Sequence, residues 1–559
     1  MKNGCKKYIP FTPQKMDSRD WPSKVLTKAP VWCSVDLRDG NQALIDPMRV
    51  SEKLEYFKLL VEIGFKEIEV GFPSASETEY AFLRALIDGG HIPDDVTIQV
   101  LVQARPHLIE KTFAAIHGAK NVILHFYNST SALQRKVVFR SDMDGIIKIA
   151  VDAAELIQKL SGPVMESGVN IRFEYSPESF SGTETDNAIL ICQRVIETIG
   201  ATPENKLILN LPNTVECCMP NQHADQIEYF CKNLPSRDSA IISVHPHNDR
   251  GTGVASAELA MLAGAERVEG TLFGNGERTG NVDIITMAMN LYTQGIEPEL
   301  DFSDIRHVRR VYEKATKLPV HQRHPYGGDL VFTAFSGSHQ DAINKGIHYM
   351  QESDSGFWEV PYLPIDPADV GRRYDPIIRI NSQSGKGGAA FVMETSFGYI
   401  LPKEMHAEFG AVVQAATDRE GTEFSPQDIF ALFEKEYLKV DGPYRLTGHN
   451  FHEAQDADGH SHVVFAGQLY YKDQPYEISG EGNGPIDAFF NAVGNMRAGD
   501  FTFVAYSEHA ISAGSDSKAV AYIQLRTPEQ LPIFGVGISS NINLASIRGI
   551  LCALNRAMG

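Results

Sequence analysis

The chain has 559 residues, 43% hydrophobic and 22% charged, with a formal net charge of -20 at pH 7. Its length exceeds what one core fills, so about two to four domains are expected. The acidic balance, with no long Lys/Arg stripe to offset it, excludes a nucleic-acid partner. No run of about 18 apolar residues is present and residues 1–30 carry no apolar leader, so neither a membrane span nor secretion is expected. Seven cysteines, an odd number without a C-x-x-C pair, fit neither a disulfide framework nor a thiolate zinc site, and a reducing cytoplasm is the expected location.

In chain order, short β-rich runs alternate with helical patterns through eight rounds. The runs are 31–37, 67–71, 96–102, 121–126, 169–175, 207–210, 240–244 and 267–272. Helices are predicted over 51–63, 77–88, 107–118, 142–160, 186–199, 221–232, 253–264 and 283–294, with apolar 3-4 spacing such as Leu54, Phe57, Val61. Eight such units in about 265 residues match a closed (β/α)8 barrel. An open doubly wound sheet would need a Gly-rich phosphate turn after its first strand, and Asp39-Gly-Asn-Gln is no such turn. Short helices and loops then fill 306–400, a charged helical stretch covers 426–438, and Asp441-Gly-Pro443 reads as a linker. The remaining residues alternate as an α+β module, with strands at 461–471, 501–509 and 519–526 and helices at 485–496 and 540–557. Its two strand-then-helix halves suggest a pseudo-duplication.

A barrel collects its chemistry just after its strands. His245 and His247 follow the seventh apolar run and, two residues apart on an extended chain, face the same way. Asp39, after the first run, adds a carboxylate, so the three suit a divalent ion with positions left open. Asn281 is placed as a carbonyl ligand or as a group that orients one. An open ion polarises a carbonyl, which points to a 2-oxo acid bound through its ketone and carboxylate. Arg38 is positioned either to stabilise a developing alkoxide or to hold Asp39 in a salt bridge. Glu178, after the fifth run, is a base candidate provided that burial raises its pKa; the alternative is a solvated loop carboxylate. Thr214 either binds a substrate carboxylate or caps its own turn. The Gly274-to-Gly280 run permits close backbone approach to a ligand. Ser384-Gly-Lys386-Gly lacks the remaining residues of a P-loop, which excludes nucleotide hydrolysis on that motif.

Together these segments resemble the 2-isopropylmalate synthases, within the wider group of metal-dependent barrel acyltransferases and lyases. The matching motifs are LRDGNQ at 37–42, EYSPES at 174–179, LPNTVE at 211–216, HPHND at 245–249, GNGERTGN at 274–281, SGSHQDAI at 336–343, VPYLPIDP at 360–367 and SGKGG at 384–388. ISGEGNGPIDA at 478–488 and YSEHAISAG at 506–514 are similar to the leucine-sensing module of the long form. The resemblance implies an N-terminal extension (1–29), a catalytic barrel (30–305), linker subdomains (306–440) and a regulatory domain (441–559). It implies condensation of acetyl-CoA with 3-methyl-2-oxobutanoate and water to (2S)-2-isopropylmalate and CoA, the first committed step of leucine biosynthesis, under feedback by leucine.

Residue by residue, the resemblance assigns the metal to Asp39, His245 and His247 with Asn281. The ion would be Mg2+ first, with Mn2+ or Zn2+ as alternatives and K+ as an activator. Arg38 would polarise the oxo acid, and His125, Ser176 and Thr214 would line its pocket. Glu178 would act in acid/base chemistry, while Glu277 and Gly280 shape the site. His339 and Tyr362 would help deprotonate acetyl-CoA in the partner subunit of a homodimer. Leucine would contact Gly482, Gly484, Ile486, Tyr506, Ala510 and Ile538. Asp487, Ser517 and Ser540 depart from the small, apolar or proline residues expected there. Homocitrate or citramalate synthesis on the same barrel is the neighbouring alternative, and a catalytically silent leucine sensor is the alternative of another class.

Overall fold

A computed structural model describes residues 4–334, 336–353, 356–374, 385–420, 424–455, 461–495, 501–511 and 517–558. Two compact units emerge: Met1–Phe332 with Ile365–Arg373, and Thr333–Pro364 with Tyr374–Gly559. Ser384 of the SGKGG motif and residues 512–514 of YSEHAISAG lie outside the described residues.

In the first unit, eight parallel strands close into a barrel in sequence order. They are β1 Val31–Ser34, β2 Glu67–Gly71, β3 Thr97–Gln103, β4 Asn121–Ser129, β5 Asn170–Glu178, β6 Leu207–Asn213, β7 Ala240–Pro246 and β8 Arg267–Gly270. Helices such as Val50–Ile63, Met143–Glu166 and Thr185–Ile199 return the chain between them. The strands are buried almost throughout, as parallel strands covered on both faces must be.

Four strands outrun their apolar runs by two residues or more. β4 and β5 stay in register through Tyr127–Ser176, Asn128–Pro177 and Ser129–Glu178, and β6 and β7 through Pro212–His245 and Asn213–Pro246. Backbone pairing, not side-chain hydrophobicity, sets these ends, so Ser176, Glu178 and His245 sit on strands instead of loops. β1 does the opposite. It stops at Ser34 and widens into a π-type turn over Asp36–Gly40, which contains Arg38 and Asp39; such wide turns recur at functional sites.

The barrel interior is charged below the site. Arg267 is 1% exposed and donates to Glu67 Oε2 (2.6 Å), Glu269 Oε1 (2.9 Å), Gln99 Oε1 (2.7 Å) and Ser243 Oγ (2.9 Å). Buried charge is tolerable only when paired in this way. Glu174 belongs to the same cluster; burial pushes its carboxyl well above the usual range despite Arg267.

The second unit begins with the helices Gly337–Glu352, Gly385–Phe397, Met405–Glu420 and Pro426–Phe433. Two similar modules follow. One is the antiparallel sheet β9 Tyr444–Gln455, β10 Ser461–Tyr471, β11 Gln474–Gly482 with helix Pro485–Gly494; the other is β12 Thr502–Ala510, β13 Ala519–Arg526, β14 Pro532–Ser539 with helix Ile542–Met558. This is the duplication suggested by the strand-then-helix halves. Phe409, Phe433 and Tyr437 share one core with Val520, Tyr522, Phe534 and Cys552, so the preceding helices and the second module are packed together.

Candidate active site and metal centre

At the C-terminal ends of the strands lies a cavity of about 250 Å3. Its lining brings together Arg38, Asp39, His125, Ser176, Glu178, Thr214, His245, His247 and Glu277. Nine of the residues singled out in the sequence therefore share one cavity, although six different strand ends supply them.

His245 and His247 lie on one face of the strand end, with ring centroids 5.3 Å apart. Their Nε2 atoms approach Asp39 Oδ2 at 3.6 and 3.8 Å, beyond hydrogen bonding. That oxygen is buried and has no hydrogen-bond partner. A buried, unsatisfied carboxylate oxygen is costly, and three donors facing one point at this spacing fit a shared cation. Asn281 Oδ1 adds a fourth candidate ligand, 2.8 Å from His245 Nε2. One carboxylate, two imidazoles and an amide carbonyl are donors suited to a divalent ion. A second buried group, Glu69, His125 and Glu269, has ligand atoms equally close together. Those atoms are already tied by hydrogen bonds to Gln99, Ser176 and His245, so that group reads as a structural network.

The electrostatics follow from burial and pairing. Burial opposes ionisation of Asp39, but Arg38 and both histidines hold its carboxyl well below the usual carboxylate range. His245 is buried too, yet the nearby Asp39 carboxylate and the Glu269 carboxylate bonded to its Nδ1 outweigh that and lift it to about 9. Burial and then the His245 charge push His247 down to about 4. The ion-free site thus carries one imidazolium, not two.

Arg38 pairs with both Asp39 and Glu69 while still facing the cavity. The salt bridge and the oxyanion role are thus compatible. Ser129 donates to Glu178, which is half-buried and not the solvated carboxylate of the alternative. Thr214 Oγ1 accepts Ser179 N–H at 3.0 Å and also lines the cavity, so it caps a turn and faces the ligand space at once. Gly280 does not line the cavity. At φ +96°, a Cβ on it would lie 1.8 Å from Gly274 O, so only glycine closes the loop that delivers Asn281.

His339 and Tyr362 belong to the second unit, where their rings stack at 4.0 Å and 24°. In that unit, Gly484, Ile486 and Tyr506 line a cavity of about 450 Å3. Phe490, Phe503 and Ile542 form its apolar wall, with Asp487 and Glu508 also in the lining. Gly482, Ala510 and Ile538 lie outside that lining; Ile538 lines a separate cavity of about 310 Å3.

Sequence reasoning missed Glu69, Gln99, Asn210 and Glu269, which are buried among and beneath the site residues. A signal was present: polar residues recur at period two inside apolar runs, as in Glu67-x-Glu69 and Arg267-x-Glu269, and thus face one side of the strand.

Three family models match this chain: HMGL-like over residues 29–311, alpha-isopropylmalate synthase post-catalytic domain-like over 329–394, and the LeuA allosteric (dimerisation) domain over 423–558. The 2-isopropylmalate synthase of Clostridium acetobutylicum is 55% identical over 552 residues, covering 99% of each chain. That of Azotobacter vinelandii is 54% identical, covering 100% of this chain and 98% of its own. Among solved structures, the HMG-CoA lyase from Brucella melitensis aligns with a TM-score of 0.41 and 18% identity over 52% of this chain and 100% of its own. That likeness is too low to argue from. Full-length identity above one half, over a barrel whose strand ends carry the expected residues, is decisive: the chain belongs to the 2-isopropylmalate synthase family.

Proposed function

We propose that this protein condenses acetyl-CoA with 3-methyl-2-oxobutanoate and water, giving (2S)-2-isopropylmalate and CoA. The observation that carries the chemistry is the convergence of Asp39, His245 and His247 on one point, around an orphaned carboxylate oxygen. These three, with Asn281, would hold a divalent ion, Mg2+ first, with Mn2+ or Zn2+ as alternatives and K+ as an activator. Bound there, the ion supplies Lewis-acid polarisation of the oxo acid's ketone.

The chain's own residues do the rest. His125, Ser176 and Thr214 bind and orient the oxo acid; Arg38 balances the negative charge that develops on the former ketone oxygen. Glu178 holds or moves a proton at the reacting centre, and Glu277 with Gly280 shapes the loop beside it. His339 and Tyr362 are assigned to acetyl-CoA deprotonation in a cytoplasmic homodimer, each serving its partner's site. Among the described residues, no helix is long and apolar enough to cross a membrane. We take residues 1–29, 30–305, 306–440 and 441–559 as extension, barrel, linker and regulatory parts. Free-thiol release from acetyl-CoA with a panel of 2-oxo acids tests the substrate: 3-methyl-2-oxobutanoate is expected to give the highest kcat/KM, and preference for 2-oxoglutarate or pyruvate would reassign it.

Leucine is the proposed effector, bound where Gly484, Ile486 and Tyr506 meet, with Gly482, Ala510 and Ile538 supporting the surrounding fold. Asp487, unexpected at its position, accepts Asn483 N–H at 2.9 Å and lines the same cavity. Because the preceding helices share a core with the second module, a point substitution tests this better than truncation at residue 444. Ile486→Trp fills the cavity. It is expected to raise the leucine concentration for half-inhibition by roughly tenfold or more, about 1.4 kcal/mol of binding, with kcat in the absence of leucine unchanged. Undiminished inhibition would move the effector elsewhere.

A further inference from the structure

At and beneath the cavity floor, six buried side chains from six strands close a ring of hydrogen bonds. Gln99 Nε2 donates to Glu69 Oε2 (2.5 Å) and to Glu269 Oε1 (2.8 Å). Asn210 Nδ2 donates to Glu269 Oε2 (3.0 Å) and to Ser176 Oγ (3.1 Å). Ser176 Oγ meets His125 Nε2 at 2.7 Å, and His125 Nδ1 meets Glu69 Oε2 at 3.0 Å, which closes the circuit. No member is more than 4% exposed.

The two carboxylates, which can only accept, set the directions around the ring. Gln99 must turn its amide nitrogen toward the two carboxylates, because its oxygen accepts from Arg267 Nη2 at 2.7 Å. Asn210 likewise presents nitrogen to Glu269. Ser176 accepts from Asn210. The Glu69 carboxylate can only accept, so His125 carries its proton on Nδ1, and in the neutral imidazole the bare Nε2 takes the Ser176 proton. All donors run into two carboxylates, and each carboxylate also grips one residue of the site: Glu269 Oε2 lies 2.8 Å from His245 Nδ1, and Glu69 Oε1 accepts from Arg38 Nε.

We propose that Glu269 is a positioning residue for the reaction, holding His245 with Nε2 turned to the cavity and, through this ring, locking it to His125 and Arg38. The inference rests on the metal assignment made above. A carboxylate is required at this position. In Glu269→Gln, an amide nitrogen on the Oε2 side faces the Asn210 and His245 donors, and on the Oε1 side it faces Gln99 and Arg267. Either way, donor meets donor.

Titration of the ion-free protein with Mn2+ is the direct test. Wild type is expected to bind, and folded Glu269→Gln to bind roughly ten- to hundredfold more weakly, as losses of outer partners of metal ligands do. Glu269→Asp, which keeps the charge, is expected to recover part of that affinity. A packing role alone would lower the melting temperature and leave Mn2+ affinity intact; affinity within threefold of wild type, about 0.65 kcal/mol, overturns the proposal. Wild type that binds no Mn2+ would instead sink the metal assignment, and this inference with it. Should Glu269→Gln not fold, histidine-ring 15N NMR of the ion-free wild type decides. His125, identified by loss of its signal in His125→Asn, must show Nδ1 protonated and Nε2 bare; the reverse tautomer breaks the ring and overturns the proposal.

Discussion

His247→Ala is expected to lose divalent-ion binding and turnover together. The ion would be worth several kcal/mol of charge stabilisation in the transition state, so kcat should fall by roughly a thousandfold or more. Affinity for Mn2+ should fall by more than the roughly 100-fold that marks the upper end of outer-partner losses. His247 is the better choice for this test than His245. His245 is bound on both ring nitrogens, to Glu269 and Asn281, so its removal strands buried partners. His247 Nδ1 has no hydrogen-bond partner, and truncating that ring leaves the neighbouring network intact. Asp39→Asn gives an independent check: it keeps the shape but takes away the charge facing both imidazoles. Calorimetric Mn2+ titration and thiol release on the same samples provide the measurement. Near-normal activity in His247→Ala would refute the metal site.

Much of the barrel is legible because parallel strands buried on both faces read as short apolar runs, and because catalytic groups gather after them. Asp39 and the two histidines need nothing more than that placement. Glu178 and Ser176 are legible as residues but not as strand residues, since the ladder between β4 and β5 continues beneath polar side chains. The ring is harder still. Gln99, Asn210 and Glu269 interrupt apolar runs, and period-two alternation says only that each faces inward. Which of them meet depends on register between strands up to 170 positions apart. Three strands are missed in the second unit, for two reasons. β9 and β11 are largely exposed and polar, so their patterns resemble loops. β14 carries Gly535 and Gly537, which read as turn residues; here a Cβ on Gly535 would lie 2.1 Å from Gly549 O, so glycine lets the helix Ile542–Met558 lie close on the sheet. Close packing, not a turn, requires it.

The barrel's stability should depend on Arg267 more than on any apolar residue inside it. Its four hydrogen bonds reach Glu67, Glu269, Gln99 and Ser243 across β2, β3, β7 and β8. Arg267→Met keeps most of the volume and leaves buried carboxylates without their cation. Breaking a buried ion pair from one side costs about 3–5 kcal/mol, a large part of the roughly 5–15 kcal/mol that stabilises a folded protein. The loss should depend on pH in a defined direction. Despite burial, Arg267 and, for Glu67, Arg172 hold the Glu67 and Glu269 carboxyls below their ordinary values. Their contribution is therefore complete above the unfolded glutamate value of about 4.3 and disappears as pH falls toward the depressed folded values. In the variant the part of that contribution supplied by Arg267 is already missing. The stability gap between wild type and Arg267→Met should thus be full at pH 7 and shrink as pH drops below about 4. Urea unfolding followed by circular dichroism at several pH values measures it. A gap under about 1 kcal/mol at neutral pH, the size of a surface pair, would show that the buried cluster does not depend on its arginine.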